Sequence, residues 1–294
     1  MMDPSRVDLA RRAHLKLLSA SGTGLWLQVQ PSASMHLHME PPLFIASLQR
    51  WLRIPFTDAD SFCPQCGGIL DAYGDHALVC CGGGDRTRRH NLLRNIVYFT
   101  CASAGLNPEL EKPGLLPARP LQGGRLEDGS RNYESDDPSA RRPADVFIPR
   151  WRAGPAACLD FAVTSGLRPE VIAESATTAD AACTRYEDFK MTYKNTAHEC
   201  QSQGLTFIPV IVEAVGGGWG KEARKIWSEL AKSSASAAGE FTTESSAAVA
   251  LLQRLAITLH RENARAALRR FGHGGQTLPS GQDLSVLATA AGSS

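Results

Sequence analysis

The spacing of apolar positions along the 294-residue chain changes several times, and each change marks an element. Residues 8–19 carry a helical period. Pro42 opens a second helix, in which Ile45, Leu48, Trp51 and Leu52 recur at helical spacing, and the two helices read as a packing platform. A third helix over 86–104 bears the stripe Leu92, Leu93, Ile96, Val97 and Phe99, and Gly105 is the residue type that ends helices. The stretch 119–142 is rich in Gly, Ser, Asp and Asn and follows neither period, so it reads as a flexible insertion within a domain.

Beyond it the pattern becomes strand-like. Residues 145–148 and 157–164 are short apolar runs separated by RWRAGP, which predicts a hairpin. A helix over about 178–201 follows, then a buried strand in TFIPVIVE, the glycine-rich GGGWG and a helix over 221–232. Residues 233–246 read as a Ser/Ala-rich linker, and 243–271 as an amphipathic helix with Leu252, Leu255, Leu259 and Leu268 inward. The result is an α/β protein of the α+β kind. It divides into an N-terminal helical segment (1–60), a cysteine-rich knuckle (61–84), a mixed domain (85–232), a C-terminal helix (243–271) and a disordered tail (272–294).

Composition sharpens this picture in three places. A hydrophobic content of 43% is enough for a sizeable core. The formal net charge is +1, so the chain as a whole has no field for a polyanion and any basic surface must be local. Arg86, Arg88, Arg89 and Arg94, with no acid between Asp85 and Glu109, are the candidate for that surface. No run approaches the roughly 18 apolar residues that span a bilayer, and the N-terminus has no secretory apolar core. A soluble intracellular protein is expected, in which the cysteines are reduced thiols or metal ligands rather than disulfides.

The spacing Cys63-x2-Cys66-x9-His76-x3-Cys80 supplies three thiolates and one imidazole, the donor set of a structural Zn²⁺ site. Pro64, Gly67 and Gly68 allow the turn that brings the first two ligands together, and Cys81 is an alternative fourth ligand. A closed set leaves no position for a reacting water, so this site is expected to fold the segment rather than catalyse. His90, in RRHN at a helix start, fits a phosphate or solvent contact better than a ligand.

The carboxylates suggest different chemistry. A symmetric hairpin turn centred between Arg152 and Ala153 sets Asp145 opposite Asp160. Opposed residues hold their Cβ atoms about 4.5–5.5 Å apart, close enough for two carboxylates to share one ion, and an oxygen-rich pair suits Mg²⁺. On the 178–201 helix the apolar face comprises Ala179, Ala182, Cys183, Tyr186, Tyr193 and Ala197, and at about 100° per residue Lys190 falls inside it. A lysine facing the core requires a partner, and the paired aspartates with a phosphate substrate would provide one. Thr164 reads as a packing residue, and Glu111 and Glu213 as lesser candidates for metal binding with surface positions.

The strings CPQCGGILDAYGDHALVC, RTRRHN, RPADVFIPRW, CLDFAVTS and YEDFKMTY together resemble the C-terminal region of LINE-type non-LTR retrotransposons that carry a restriction-like endonuclease. That branch of the PD-(D/E)XK nucleases has a mixed sheet flanked by helices and hydrolyses phosphodiesters with Mg²⁺. The resemblance implies that Asp145 and Asp160 are the motif aspartates, Lys190 and Tyr193 the downstream lysine and tyrosine, and Glu111 the upstream acid that helps bind Mg²⁺. It further implies that the knuckle and the arginines engage nucleic acid, DNA or RNA, in the nucleus. Two positions depart from the pattern: Ala144 precedes Asp145 where proline is usual, and Ala162 stands where many of these enzymes have lysine. Two other expectations compete, a nucleic-acid-binding module with an inactive nuclease fold and a purely structural zinc scaffold.

Overall fold

The two longest strands set the frame, and they coincide with the apolar runs ACLDFAVT and TFIPVIVE. In the computed structural model, which describes residues 4–117, 141–152, 154–239 and 243–272, β5 (Ala157–Thr164) and β6 (Thr206–Glu213) lie side by side in parallel. β4 (Val146–Ile148) pairs antiparallel with β5, and the short β3 (Glu109–Leu110) adds antiparallel to β4, giving the order β3-β4-β5-β6. The fold is therefore mixed, with helices around a mixed four-stranded sheet. A parallel pair requires a crossover. Here it runs through α5 (Ile172–Ser175), α6 (Ala181–Thr192) and α7 (Thr196–Ser202).

The hairpin register matches the expected one, with Val146 opposite Leu159, Phe147 opposite Cys158 and Ile148 opposite Ala157. One face of the sheet packs on α4 (Asp85–Ser103), α8 (Lys221–Ala238) and α9 (Glu244–Arg270) through Leu93, Val97, Ile226, Leu230, Leu255 and Leu259. On the other face Phe147 and Cys158 meet Leu116 and Cys200. Burial at roughly 25 cal/mol per Å² of apolar surface is the main force holding these layers together.

Several expectations need correction. The helix foreseen over 178–201 is two helices, broken at Tyr193–Asn195 where Lys194 and Asn195 have φ of 51° and 57°. Asparagine tolerates that left-handed conformation better than most residues, so the break has a local cause. The linker foreseen from 233 is helical as far as Ala238, as part of α8. In α2 (Pro41–Trp51) the buried face is Leu43, Ala46 and Ser47, while Ile45 and Leu52, which follows the helix, are exposed. The small Ala46 and Ser47 let α9 approach, and Ser47 Oγ donates to the His260 carbonyl at 3.2 Å.

The largest correction concerns α9, which is buried nearly all round from Leu255 to Arg270 and packs against α2, α4, α8 and the knuckle. Its polar residues are turned inward toward partners. Glu262 receives Arg88 at 2.8 Å, Asn263 receives Arg89 at 2.6 Å and donates to the Ala214 carbonyl, and Arg270 holds Asp85 at 2.7 Å. Most of the insertion and nearly all of the tail lie outside the described residues. Among the described residues no helix is long and apolar enough to cross a membrane.

Candidate functional site

The knuckle folds around its ligands. β1 (Ser61–Phe62) and β2 (Ile69–Leu70) form a two-residue antiparallel pair, and Gly67, at φ 72°, closes the turn between them. The Asp71 carboxylate accepts from the backbone N–H groups of Tyr73, Asp75 and His76, which starts α3 (Asp75–Val79) and aims His76 at the cysteines. The Cys63, Cys66, His76 and Cys80 donor atoms lie within 4.8 Å of one another, and among the described residues theirs is the one such cluster. Cys63 and Cys80 Sγ are 3.9 Å apart, and Cys66 Sγ lies 3.2 Å from His76 Nε2. A tetrahedral ion with Zn–S bonds of about 2.3 Å requires sulfurs roughly 3.8 Å apart, so the set can hold a metal such as zinc. Burial lowers the proton affinity of His76, which favours the neutral imidazole a metal needs. Cys81, the alternative ligand, lies outside the cluster and accepts from Arg86 Nη1 at 3.0 Å.

The second site forms where β4, β5, α4 and α6 meet. Asp145, just before β4, has one carboxylate oxygen on the Phe161 N–H at 2.6 Å and the other on His90 Nε2 at 3.1 Å. Asp160, one residue beyond the last paired position of the hairpin, receives Lys190 Nζ at 2.8 Å. Burial raises the proton affinity of Asp160 and the negative charge of Asp145 raises it further, while Lys190 and His90 oppose both. For Lys190, burial acts to lower the pKa, but the charge and hydrogen bond of Asp160 outweigh it, and the ammonium form is favoured. The two aspartates, the lysine and the histidine thus form one electrostatic unit.

Two clefts meet at Lys190. One, of about 280 Å³, is lined by Asp160, Tyr193, Arg141 and Arg142. The other, of about 330 Å³, is lined by His90, Tyr186, Arg86 and Thr87. Both are open to solvent, and cationic side chains line each of them.

The remaining candidates fall elsewhere. Glu111 approaches Asp145 only through its backbone N–H, which donates to the Asp145 carbonyl at 3.1 Å; its carboxylate oxygens are held by Arg94 at 2.5 Å and Arg142 at 2.8 Å. Its carboxylate thus already has two guanidinium partners. Of the four arginines read as a basic surface, Arg89 and Arg94 are buried and Arg88 is tied to Glu262, so these three serve internal acids, amides and carbonyls, while Arg86 stays exposed. Glu213 is buried rather than at the surface, and its carboxylate accepts from the N–H groups of Gly166, Val215 and Gly216. Thr164 packs in the interior as expected.

His90 is the site residue the sequence left in a minor role. Its signal was position: on α4 it precedes Arg94 by one helical turn, and that face meets the β3–β4 edge, where Asp145 and Glu111 lie. Glu187, on the buried face of α6, was not anticipated at all. It accepts from the Glu222 N–H at 3.0 Å at the start of α8, a position where a carboxylate satisfies a free helix-end donor. Comparison of the chain with protein-family models, with curated proteins and with solved structures gives no match.

Proposed function

We propose that this chain is a metal-dependent endonuclease that nicks DNA, of the restriction-like kind carried by LINE-type retrotransposons and acting in the nucleus. One observation carries the reading: Asp145 and Asp160, from the paired β4–β5 hairpin, and Lys190, from a facing helix, act on one another, and Lys190 lies where two open clefts join.

Mg²⁺ typically takes one or two carboxylates and completes its shell with water and phosphate oxygens, a demand that Asp145 and Asp160 fit. When bound there, the ion would supply Lewis-acid polarisation of the scissile phosphate and a more acidic water. Phe161 N–H and His90 fix the orientation of Asp145, so its free lone pairs point in a set direction. Lys190 sits at 2.8 Å from Asp160 and lines both clefts, placing its ammonium to meet negative charge building on the phosphate as the P–O3′ bond breaks. Tyr193 lines the first cleft beside it. The zinc knuckle is a structural element, held to the end of α9 by Phe271, which packs against Cys63, Leu70 and Cys80.

A second reading, a nucleic-acid-binding module with an inactive nuclease fold, draws support from the internal partners already on both carboxylates. Supercoiled plasmid incubated with Mg²⁺ or Mn²⁺ separates the two. The nuclease reading predicts open circles from the parent protein and none from Asp160→Ala; retention of DNA without cleavage by either would favour the binding module.

A further inference from the structure

Helix α6 presents two faces that differ in kind. Inward are Ala182, Cys183 and Glu187. Partly or largely exposed are Tyr186 and Phe189 on α6 and Tyr193 just after its end, which follow at three- and four-residue spacing and form a row of rings with centroids 5.6 Å and then 5.0 Å apart. Phe189 and Tyr193 are each 46% exposed, far more than rings that pack a core. Tyr186 lines one cleft, Tyr193 lines the other, and Lys190 lies between them lining both. Phe189 lines neither cleft but sits between Tyr186 and Tyr193 in the row of rings, so the row runs from one cleft to the other beside Lys190.

Charge narrows what such a strip can receive. Arg86 flanks it at one end and Arg142 at the other, both exposed, while Arg88, Arg89 and Arg94 are engaged internally. Further cations lie along the row: Lys190 lines both clefts, Arg141 lines one, and Arg168 and Lys194 lie 5.8 Å from the ring centroids of Tyr186 and Tyr193 respectively, so phosphate contacts would flank the rings. Exposed rings beside a cationic groove are the means by which proteins hold unpaired nucleotides, whose base faces are open, whereas a duplex hides those faces in its own stack. We propose that Tyr186, Phe189 and Tyr193 form a stacking strip for the bases of an unpaired DNA strand, so that the substrate is single-stranded or locally opened DNA rather than closed duplex. The inference rests on the nuclease reading for its purpose but on separate residues for its geometry.

Binding of fluorescent oligo(dT) and of a hairpin duplex to the zinc-loaded full chain, in EDTA-free buffer without Mg²⁺, tests it apart from cleavage. Oligo(dT) should bind more tightly than the duplex. Phe189→Ala and Tyr193→Ala should each weaken oligo(dT) binding about tenfold, the effect of losing one stacked base. Phe189→Trp and Tyr193→Phe, which keep a ring, should bind like the parent. Equal binding by the alanine variants, or duplex held as tightly as oligo(dT), would overturn the proposal. If the strip behaves as expected but plasmid is never cut, the nuclease reading fails and the strip stands.

Discussion

Glu262→Gln is the sharpest test of the reassignment of the arginines from surface to interior. The Glu262 side chain is only 2% exposed, and it faces three guanidiniums: Arg88 at 2.8 Å, Arg265 at 3.3 Å and Arg261 at 3.7 Å. The substitution keeps shape and removes one negative charge, so three cations would face a neutral amide whose NH₂ repels them. Breaking a buried ion pair from one side costs about 3–5 kcal/mol. Arg88 retains partial access to solvent, which places the expected loss near the lower end, about 3 kcal/mol. Urea unfolding followed by tryptophan fluorescence reads it directly as a drop in midpoint at unchanged slope. Heat should show the same loss as a fall in Tm of roughly 6–12 °C for a chain of this size. A loss below about 1 kcal/mol would refute the argument, because it would mean that these arginines are solvated as exposed side chains are.

Three other outcomes follow from the same structure. His14 and His260 are buried and held neutral, with burial as the main cause pushing their pKa values down to about 4 and about 3. A base whose folded pKa is depressed gives stability that is present above its unfolded pKa, near 6.5, and is lost as pH falls below it; at pH 5 each histidine should cost about 2 kcal/mol, visible as a falling urea midpoint that His14→Gln or His260→Gln makes shallower. Cys80→Ser should abolish binding of one zinc per chain and unfold the knuckle, whereas Cys81→Ser should retain it; atomic absorption and near-ultraviolet circular dichroism distinguish these, and equal zinc loss in both would point to a different ligand set. Lys190→Met leaves Asp160 without its cation, so the Asp160 proton affinity, already raised, should rise further, as ¹³C carboxyl titration would show; an unmoved titration would mean the ion pair is not formed in solution.

The parts of the fold legible in the sequence are those whose partners are near in sequence or whose apolar period is strong. The register of the Val146–Ile148 and Ala157–Thr164 hairpin came from turn symmetry, and the zinc ligands from their spacing. Lys190 was legible because a cation on an apolar helical face has to be explained. What stayed hidden depended on contacts far apart in sequence. Periodicity treats Arg88, Arg89 and Glu262 as solvent-facing residues, yet each finds its partner 174 residues away and is turned inward by it. The central place of α9 was missed for the same reason, since its buried polar residues give it the profile of a surface helix. The break at Lys194 and Asn195 was invisible to a wheel of apolar positions because it is a backbone event.

The central claim is that Asp145 and Asp160 together hold one divalent ion, and Mn²⁺ titration of the zinc-loaded protein by electron paramagnetic resonance tests it most directly. The account predicts one bound Mn²⁺ per chain in the parent and loss of that ion in both Asp145→Asn and Asp160→Asn, with folding intact by circular dichroism. Binding that is equal in the parent and in both variants, or a folded parent that binds no Mn²⁺, would contradict it.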